Sequence, residues 1–200
     1  MRKIIVVNIM SLDGYYEGPA KNDMDLFSFR ASEYPEDNSF DLYNLERLRS
    51  AETLLLGHKS YIGFREYWPS VAEEREADPV SMEISRRMNA IEKIVVSDGI
   101  GIARDDPWQN TRVLSSAEVQ REIGALKTGA GADILIFGSR VLWNDLFARG
   151  LVDELHLMIA PVLLGGGTTL IQKRPEASLR LIDLGSKEGA GTLLVRYALG

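Results

Sequence analysis

One stretch of the chain, residues 133–170, divides without a gap into a strand, a glycine turn, a helix and a second strand. Asp133–Phe137 is a short apolar run that ends at Gly138-Ser139, and apolar residues then recur at helical spacing until Gly150. The strand Glu154–Ile159 completes a βαβ unit. A strand that ends in Gly-Ser at a helix start directs backbone N–H groups and the positive end of the helix dipole at one point. We therefore expect a phosphate group at this turn and a nucleotide as the ligand.

The composition fits one compact α/β domain and argues against several other classes. The 200 residues, 45% of them hydrophobic, suit a single domain over 1–200. A net charge of −6 argues against nucleic-acid binding, which needs a basic surface. The chain has no cysteine and only two histidines, His58 and His156, so we expect no disulfide, thiolate or metal site. No apolar run is long enough for a membrane span, which predicts a cytoplasmic protein without a membrane partner.

The rest of the chain continues the alternation of strands and helices. Further strands are predicted at Ile4–Met10, Thr53–Leu56, Lys93–Ser97 and Thr111–Leu114. Helices are predicted at Asp25–Glu33, Ser39–Ser50, a short segment from about Lys59, Val80–Asn89 and Ser116–Lys127, with loops at 11–25, 99–109 and around Trp68-Pro69. Leu179–Leu184 and Thr192–Leu199 form an antiparallel hairpin. The pattern predicts a mostly parallel central sheet with an antiparallel edge.

Three of the predicted strands end in small polar residues. They are followed by Gly57-His58-Lys59-Ser60, by Ser97-Asp98 and by Gly138-Ser139-Arg140. In an open α/β sheet the ligand lies beyond the carboxyl ends of the strands, so these three segments would line one cleft. A glycine after a strand is also ordinary turn chemistry, and each segment alone is a weak signal. Together they predict a cleft for a nucleotide with several phosphates.

Five segments of the chain together resemble the dihydrofolate-reductase-like family typified by the reductase domain of bacterial riboflavin biosynthesis. They are S-L-D-G at 11–14, L-L-L-G-H-K-S-Y at 54–61, K-I-V-V-S at 93–97, I-F-G-S-x-x-L at 136–142 and G-L-V-D-E-L through G-G-G at 150–167. The resemblance runs from Lys3 to Leu199. It implies a three-layer fold with helices on both faces of the sheet. It also implies hydride transfer from a nicotinamide dinucleotide to a pyrimidine- or pterin-like heterocycle, or to another carbonyl or imine.

The resemblance also implies roles for individual residues. The cofactor would be held by Gly14, Gly57, His58, Lys59, Ser60, Ser97, Gly138, Ser139, Arg140, Val141 and Leu142. Asp13 or Glu17 would relay the proton beside Ser11, and Asn8 and Glu154 would face the substrate, with Pro161 at the floor of the site. Glu154 has a second interpretation as a solvated charge at the start of a strand.

The chain departs from the family pattern at the adenosine end of the predicted cofactor site. The family often carries arginine or lysine where this chain has His58 and Asp98, and such cations recognise the 2′-phosphate of NADPH. Asp98 would repel that phosphate unless Lys59 or Arg104 compensates. An acidic residue near the adenine ribose instead suits the free 2′-hydroxyl of NADH. NADPH is expected from the family, and NADH is the alternative.

Two further departures narrow the expected function. The acidic segment by which true dihydrofolate reductases protonate the pterin is missing from residues 15–29, although Asp25 is an acid in that region. The zinc deaminase that accompanies the riboflavin reductase needs cysteines, so this chain would be the reductase half standing alone. A regulatory nucleotide-binding module without turnover remains an alternative. A transferase or hydrolase is disfavoured because neither a nucleophile elbow nor a P-loop is present.

Two other groups of apolar residues have open interpretations. The aromatic residues could stack on a planar substrate or pack in the core, and the candidates are Tyr15, Tyr16, Tyr61, Trp68 and Trp143. Leu193, Leu194 and Val195 lie in the predicted hairpin, near a sheet edge that needs protection. Relatives commonly pair through this region, which predicts a homodimer.

Overall fold

The computed structural model describes residues 1–21, 23–74, 76–173 and 176–200. In this part of the chain the strands are β1 (Ile4–Ser11), β2 (Tyr15–Glu17), β3 (Ala51–Gly57), β4 (Glu92–Val96), β5 (Thr111–Leu114), β6 (Asp133–Phe137), β7 (Glu154–Ala160), β8 (Thr168–Thr169), β9 (Leu179–Gly185) and β10 (Leu193–Leu199). The α-helices are α1 (Ser39–Ser50), α2 (His58–Val71), α3 (Pro79–Ala90), α4 (Val119–Thr128) and α5 (Arg140–Ala148), and Asp23–Ala31 is a 3₁₀ helix.

The strands form a mixed sheet in the order β5-β4-β3-β6-β1-β7-β10-β9. Neighbours from β5 to β7 are parallel, whereas β10 is antiparallel to both β7 and β9. The predicted parallel sheet with an antiparallel C-terminal hairpin is therefore confirmed. β2 and β8 pair separately as a small antiparallel sheet beside the carboxyl end of β1.

Two apolar cores lie on the two faces of the sheet. Alternate residues of β1 point to opposite faces, so Ile5 and Val7 contribute to one core while Ile4 and Val6 contribute to the other. The first core includes apolar side chains of α1, α2 and α3, and the second includes those of α4 and α5. This is the predicted arrangement of three layers. Tyr61 and Trp143 are both buried in these cores, which excludes the stacking role considered for them.

The second helix is longer than the sequence predicts. The pattern indicates a short helix and then a loop at Trp68-Pro69, but α2 includes both residues. The neighbouring helix α3 supports this end of α2, since the Ser85 hydroxyl donates to the Trp68 carbonyl at 2.6 Å and Asn89 Nδ2 donates to the Pro69 carbonyl at 3.2 Å. These tertiary hydrogen bonds stabilise carbonyl groups next to the proline and override its tendency to end a helix.

Two other boundaries differ from the prediction. Residues 11–25 are not all loop, because Tyr15–Glu17 forms β2. Helix α4 begins at Val119 rather than at Ser116, since the Ser116 N–H and hydroxyl bind the Asp98 carboxylate instead of opening a helical turn. No helix in the described part of the chain has the length and apolar character to cross a membrane.

Candidate functional site

A cleft of about 920 Å³ opens at the carboxyl ends of β3, β4 and β6, the edge at which the sequence predicts a ligand. This volume falls in the range of small-molecule and cofactor sites. Most of the residues predicted to hold a cofactor line the cleft, and they are Gly57, His58, Lys59, Ser60, Ser139, Arg140, Val141 and Leu142. The predicted catalytic residue Glu17 lines it as well. Tyr16 and Thr168 also line the cleft.

The cleft is lined by an excess of cationic side chains, although the net charge of the whole chain is −6. Five cationic side chains line it against the carboxylates of Glu17 and Asp145: they are Lys21, Lys59, Arg140, Arg149 and Lys173. Two of these cations pair with the carboxylates, since Lys21 lies 3.4 Å from Glu17 and Arg149 lies 2.9 Å from Asp145. The remaining cations give the cleft an excess of positive charge, which favours an anionic ligand.

Two turns in the cleft brace each other through a reciprocal pair of serines. The Ser139 hydroxyl accepts the Gly57 N–H at 3.0 Å, and the Ser60 hydroxyl accepts the Ser139 N–H at 2.8 Å. Gly138 and Ser139 both have left-handed backbone angles, with φ of 53° and 49°. A Cβ at Gly138 would lie 3.3 Å from the hydroxyls of Ser60 and Tyr16, a tight contact that adds to the strain of a left-handed backbone for any residue other than glycine. The brace fixes the starts of α2 and α5 relative to each other.

The starts of α2 and α5 also keep their N–H groups available. Among the described side chains, none caps the first turn of either helix, because the Ser139 hydroxyl is directed to Gly57 instead. Helix α3 differs, since the Asp78 carboxylate accepts the N–H groups of Val80 and Ser81. Uncapped N–H groups at a helix start bind anions, and the helix dipole adds to the attraction. The cleft therefore contains two adjacent helix starts without side-chain caps, which is the local arrangement that favours phosphate groups.

A second pair of contacts fixes the β4 end of the cleft. His58 Nδ1 lies 2.9 Å from the Ser97 hydroxyl, which in turn accepts the Gly99 N–H. The Asp98 carboxylate accepts the hydroxyl and N–H of Ser116 at 2.6 and 2.7 Å, and these bonds hold the pKa of Asp98 below its usual range. A fixed negative charge therefore lies beside the start of α4.

The S-L-D-G loop is held to the glycine-rich turn by Asp13. The carboxylate accepts the Ser11 hydroxyl at 2.6 Å, the Gly165 N–H at 2.8 Å and the Leu164 N–H at 3.1 Å. The Ser11 hydroxyl itself accepts the Tyr15 N–H at 2.9 Å. The bond from Ser11, followed by those from the backbone, holds the pKa of Asp13 below its usual range. Asp13 is therefore ionised at neutral pH, and both of its oxygens accept hydrogen bonds from the protein.

Glu17 differs from Asp13 in facing the cleft. Its carboxylate accepts the Thr168 hydroxyl at 2.6 Å and lies 3.4 Å from Lys21 Nζ. Thr168 is a cleft residue that the sequence analysis did not identify, and it comes from the segment after the glycine triplet. The triplet itself was the available signal: Gly167 has φ of 118°, and a Cβ there would lie 2.1 Å from the Glu17 carbonyl oxygen. Only glycine lets β8 approach β2 in this way.

Asn144 is a second residue that the sequence analysis missed. Its amide nitrogen donates to the carbonyls of Arg140 and Leu170, and its oxygen accepts the Gln172 N–H at 2.9 Å. These bonds hold the segment after β8 along α5, where it forms part of the cleft wall. A polar residue on the buried face of a predicted helix was the signal that could have revealed it.

The structure separates the two predicted substrate residues. Asn8 lies beneath the cleft, where its amide donates to the Gly138 carbonyl at 3.2 Å and supports the turn. Glu154 is the first residue of β7 and pairs with Ile5, at the amino end of the sheet. Six residues of strand, about 20 Å, separate that position from Ser11. The structure therefore places Glu154 away from the carboxyl end of β1, where it contacts Lys3 and His156.

Comparisons with known proteins agree with this fold. The uncharacterized protein YyaP of Bacillus subtilis (strain 168) is 25% identical over 183 residues, which cover 91% of this chain and 87% of YyaP. A candidate riboflavin biosynthesis protein from Shewanella sp. PV-4 has the same fold over 99% of both chains, at 17% identity and a TM-score of 0.70. Dihydrofolate reductase from Enterococcus faecalis, solved with NADP(H), aligns over 99% of this chain and 96% of its own, at 15% identity and a TM-score of 0.56.

The family model of the RibD C-terminal domain matches residues 2–195. This match spans the S-L-D-G loop, the two braced turns, the strand β7 and the start of β10, so it confirms the resemblance that the five sequence segments predict. The chain therefore belongs to the RibD C-terminal domain family and has its dihydrofolate-reductase-like fold.

Proposed function

We propose that this protein is an oxidoreductase that transfers a hydride from NADPH to a small heterocyclic substrate. The observation that carries the proposal is the pair of uncapped helix starts, α2 and α5, braced together by Ser60 and Ser139 in a cationic cleft. A nicotinamide dinucleotide has a diphosphate at its centre and a base at each end. The two helix starts would hold the diphosphate, and the cleft extends from them in both directions.

The proposed cofactor position follows from the residues at each end of the cleft. Lys59 and Arg140 would add charge to the two helix starts that bind the diphosphate, and His58 with Ser97 would lie at the adenosine end. The nicotinamide end would lie by Gly14, Tyr16 and Glu17. NADPH is favoured because the related fold of Enterococcus faecalis dihydrofolate reductase was solved with NADP(H). NADH stays the alternative, since Asp98 places a negative charge at the adenosine end.

The proposed hydride transfer requires that the protein position the substrate against the cofactor and supply one proton. The bound cofactor supplies the hydride, and the protein holds the acceptor carbon against it and delivers a proton to the neighbouring heteroatom. Glu17 is the proposed route for the proton because it faces the cleft, whereas both oxygens of Asp13 are engaged by the chain itself. The Ser11 hydroxyl donates to Asp13, so it supports this carboxylate. A cleft that binds one end of a planar dinucleotide also suits a planar substrate, and a pyrimidine- or pterin-like ring is the proposed class.

The proposal is tested by titrating the protein with NADPH and with NADH while tryptophan fluorescence is recorded. Trp143 lies in α5 one turn after Arg140, so we expect energy transfer to a bound dihydronicotinamide to quench its emission. Saturable quenching followed by cofactor oxidation with pyrimidine or pterin substrates is the expected result. Binding without turnover of any carbonyl or imine would favour the regulatory module instead. No binding of either dinucleotide would reject the proposal.

We also propose that the protein forms a homodimer through the hairpin β9–β10. Leu179, Leu181 and Leu184 are paired with alternate residues of β10, so their side chains share one face, and they are 52%, 52% and 61% exposed. β9 is also an edge strand with unpaired backbone groups, which a second copy would cover. We expect light scattering to give twice the 22.3 kDa chain mass, and Leu184→Asp to give the monomer. A wild-type monomer would contradict the proposed dimer.

A further inference from the structure

The loop after β1 and the loop after β7 form one interlocked unit, which we call the flap and define as residues 11–17 and 162–170. Backbone hydrogen bonds join the start of the first part to both ends of the second: Leu12 N–H donates to the Val162 carbonyl at 2.9 Å, and Leu170 N–H donates to the Gly14 carbonyl at 3.0 Å. Directly after the Gly14–Leu170 bond, β2 pairs with β8. The flap carries Tyr16, Glu17 and Thr168 into the end of the cleft.

Asp13 is the side chain that joins the two parts of the flap. It comes from the first part and accepts the backbone N–H groups of Leu164 and Gly165 in the second, while Ser11 supports it from within the first. Gly165 has φ of 67° and Gly167 has φ of 118°, so the second part contains backbone that few residues can adopt. Hydrogen bonds to an ionised carboxylate are stronger than neutral ones, and two of them stabilise this turn.

We propose that Asp13 is a positioning residue, whose ionised carboxylate holds the two parts of the flap together and so fixes Tyr16 and Glu17 at the nicotinamide end of the cleft. The inference rests on the proposed function for the identity of the ligand, but the coupling of the two loops does not depend on it. In this role Asp13 carries no proton during the reaction. It acts through Glu17, the carboxylate that faces the cleft, and through the shape of the cleft around Tyr16.

The first test is amide hydrogen exchange on the protein without cofactor. Asp13→Asn keeps the size of the side chain but loses the charge and one acceptor. We expect faster exchange at Leu164 and Gly165, because one uncharged amide oxygen replaces the two carboxylate oxygens that accept their N–H groups, and also at Leu12 and Leu170, which do not contact Asp13. Asp105→Asn, in an exposed loop away from the flap, is the matched control and should change none of these amides. Unchanged exchange at Leu12 and Leu170 in the Asp13 variant would overturn the coupling.

The second test is steady-state kinetics over a range of pH. We expect Asp13→Asn to raise KM for the dinucleotide about tenfold, as loss of one charge-assisted hydrogen bond implies, with a smaller effect on kcat. Asp13→Glu, which keeps the charge, should recover part of the affinity. A fall in kcat with unchanged KM, together with loss of one ionisation from the pH profile, would instead identify Asp13 as the proton donor. If the wild type bound no nicotinamide dinucleotide, the proposed function would fail while the exchange result would still stand.

Discussion

The amino ends and the carboxyl ends of the parallel strands, called here the amino edge and the carboxyl edge, differ in how their polar groups are paired. At the amino edge, the buried His156 lies between the Tyr43 hydroxyl at 2.7 Å and the Glu154 carboxylate at 2.9 Å, and Glu154 also binds Lys3. This chain of hydrogen bonds is satisfied within the protein. At the carboxyl edge, two helix starts leave N–H groups directed at an open cleft. The comparison indicates that the amino edge stabilises the fold, whereas the carboxyl edge keeps the open polar groups on which the proposed ligand site depends.

Removal of the central residue of the amino edge should cost the most stability. His156→Ala removes a hydrogen-bond partner from the Tyr43 hydroxyl and from one oxygen of Glu154 and empties a buried site, so we expect a loss of about 3 kcal/mol in the free energy of unfolding. Tyr43→Phe removes one hydrogen bond and should cost about 1 kcal/mol. Urea denaturation measures both. A large change in dinucleotide affinity, measured on the folded variants, would contradict the assignment of stability to the amino edge and ligand binding to the carboxyl edge.

Removal of the serine brace should mainly affect ligand binding. Ser60→Ala leaves the Ser139 N–H without its acceptor and loosens the two helix starts, so we expect about tenfold weaker dinucleotide binding and a stability loss of about 1 kcal/mol. Ser139→Ala should act in the same way through Gly57. Ser50→Ala, at the exposed end of α1, is the control. Fluorescence titration gives the affinities, and unchanged binding in both brace variants would remove the main support for the diphosphate site.

Acidification should destabilise the fold in two pH ranges, and the upper range should belong to His156 at the amino edge. Burial holds the pKa of His156 below its ordinary value, so between that lowered pKa and about 6.5 the unfolded chain binds a proton that the folded chain does not. Stability therefore falls as pH drops below about 6.5. The pKa values of Asp13 and Asp98 are also lowered, and their contribution is lost only below about 4. Urea midpoints against pH should show both steps, and His156→Gln should abolish the upper one alone.

The sequence predicts the carboxyl edge better than the amino edge, and the reason is physical. Glycines and small polar residues directly after apolar strands indicate a local backbone requirement, so Gly57, Ser60, Gly138 and Ser139 could be identified from short segments. The amino-edge contacts join residues far apart in the chain, as Tyr43 and His156 are, and no local pattern reports them. Glu154 illustrates this: its neighbours in sequence match the family, but its partners are Lys3, just before β1, and His156 within β7.

The smallest expected effect concerns the choice between the two dinucleotides. Asp98 is fixed by Ser116 next to the cleft, so its charge should oppose a 2′-phosphate at the adenosine end, although solvent weakens the repulsion at an exposed site. Asp98→Asn keeps an oxygen for Ser116 and should raise the ratio of NADPH to NADH affinity a few-fold at low salt, with a smaller change at high salt. Asp105→Asn alters the net charge equally from a remote loop. If both variants shifted the ratio by the same amount, the effect would belong to the overall charge of the protein, and Asp98 would have no specific role in recognition of the ribose.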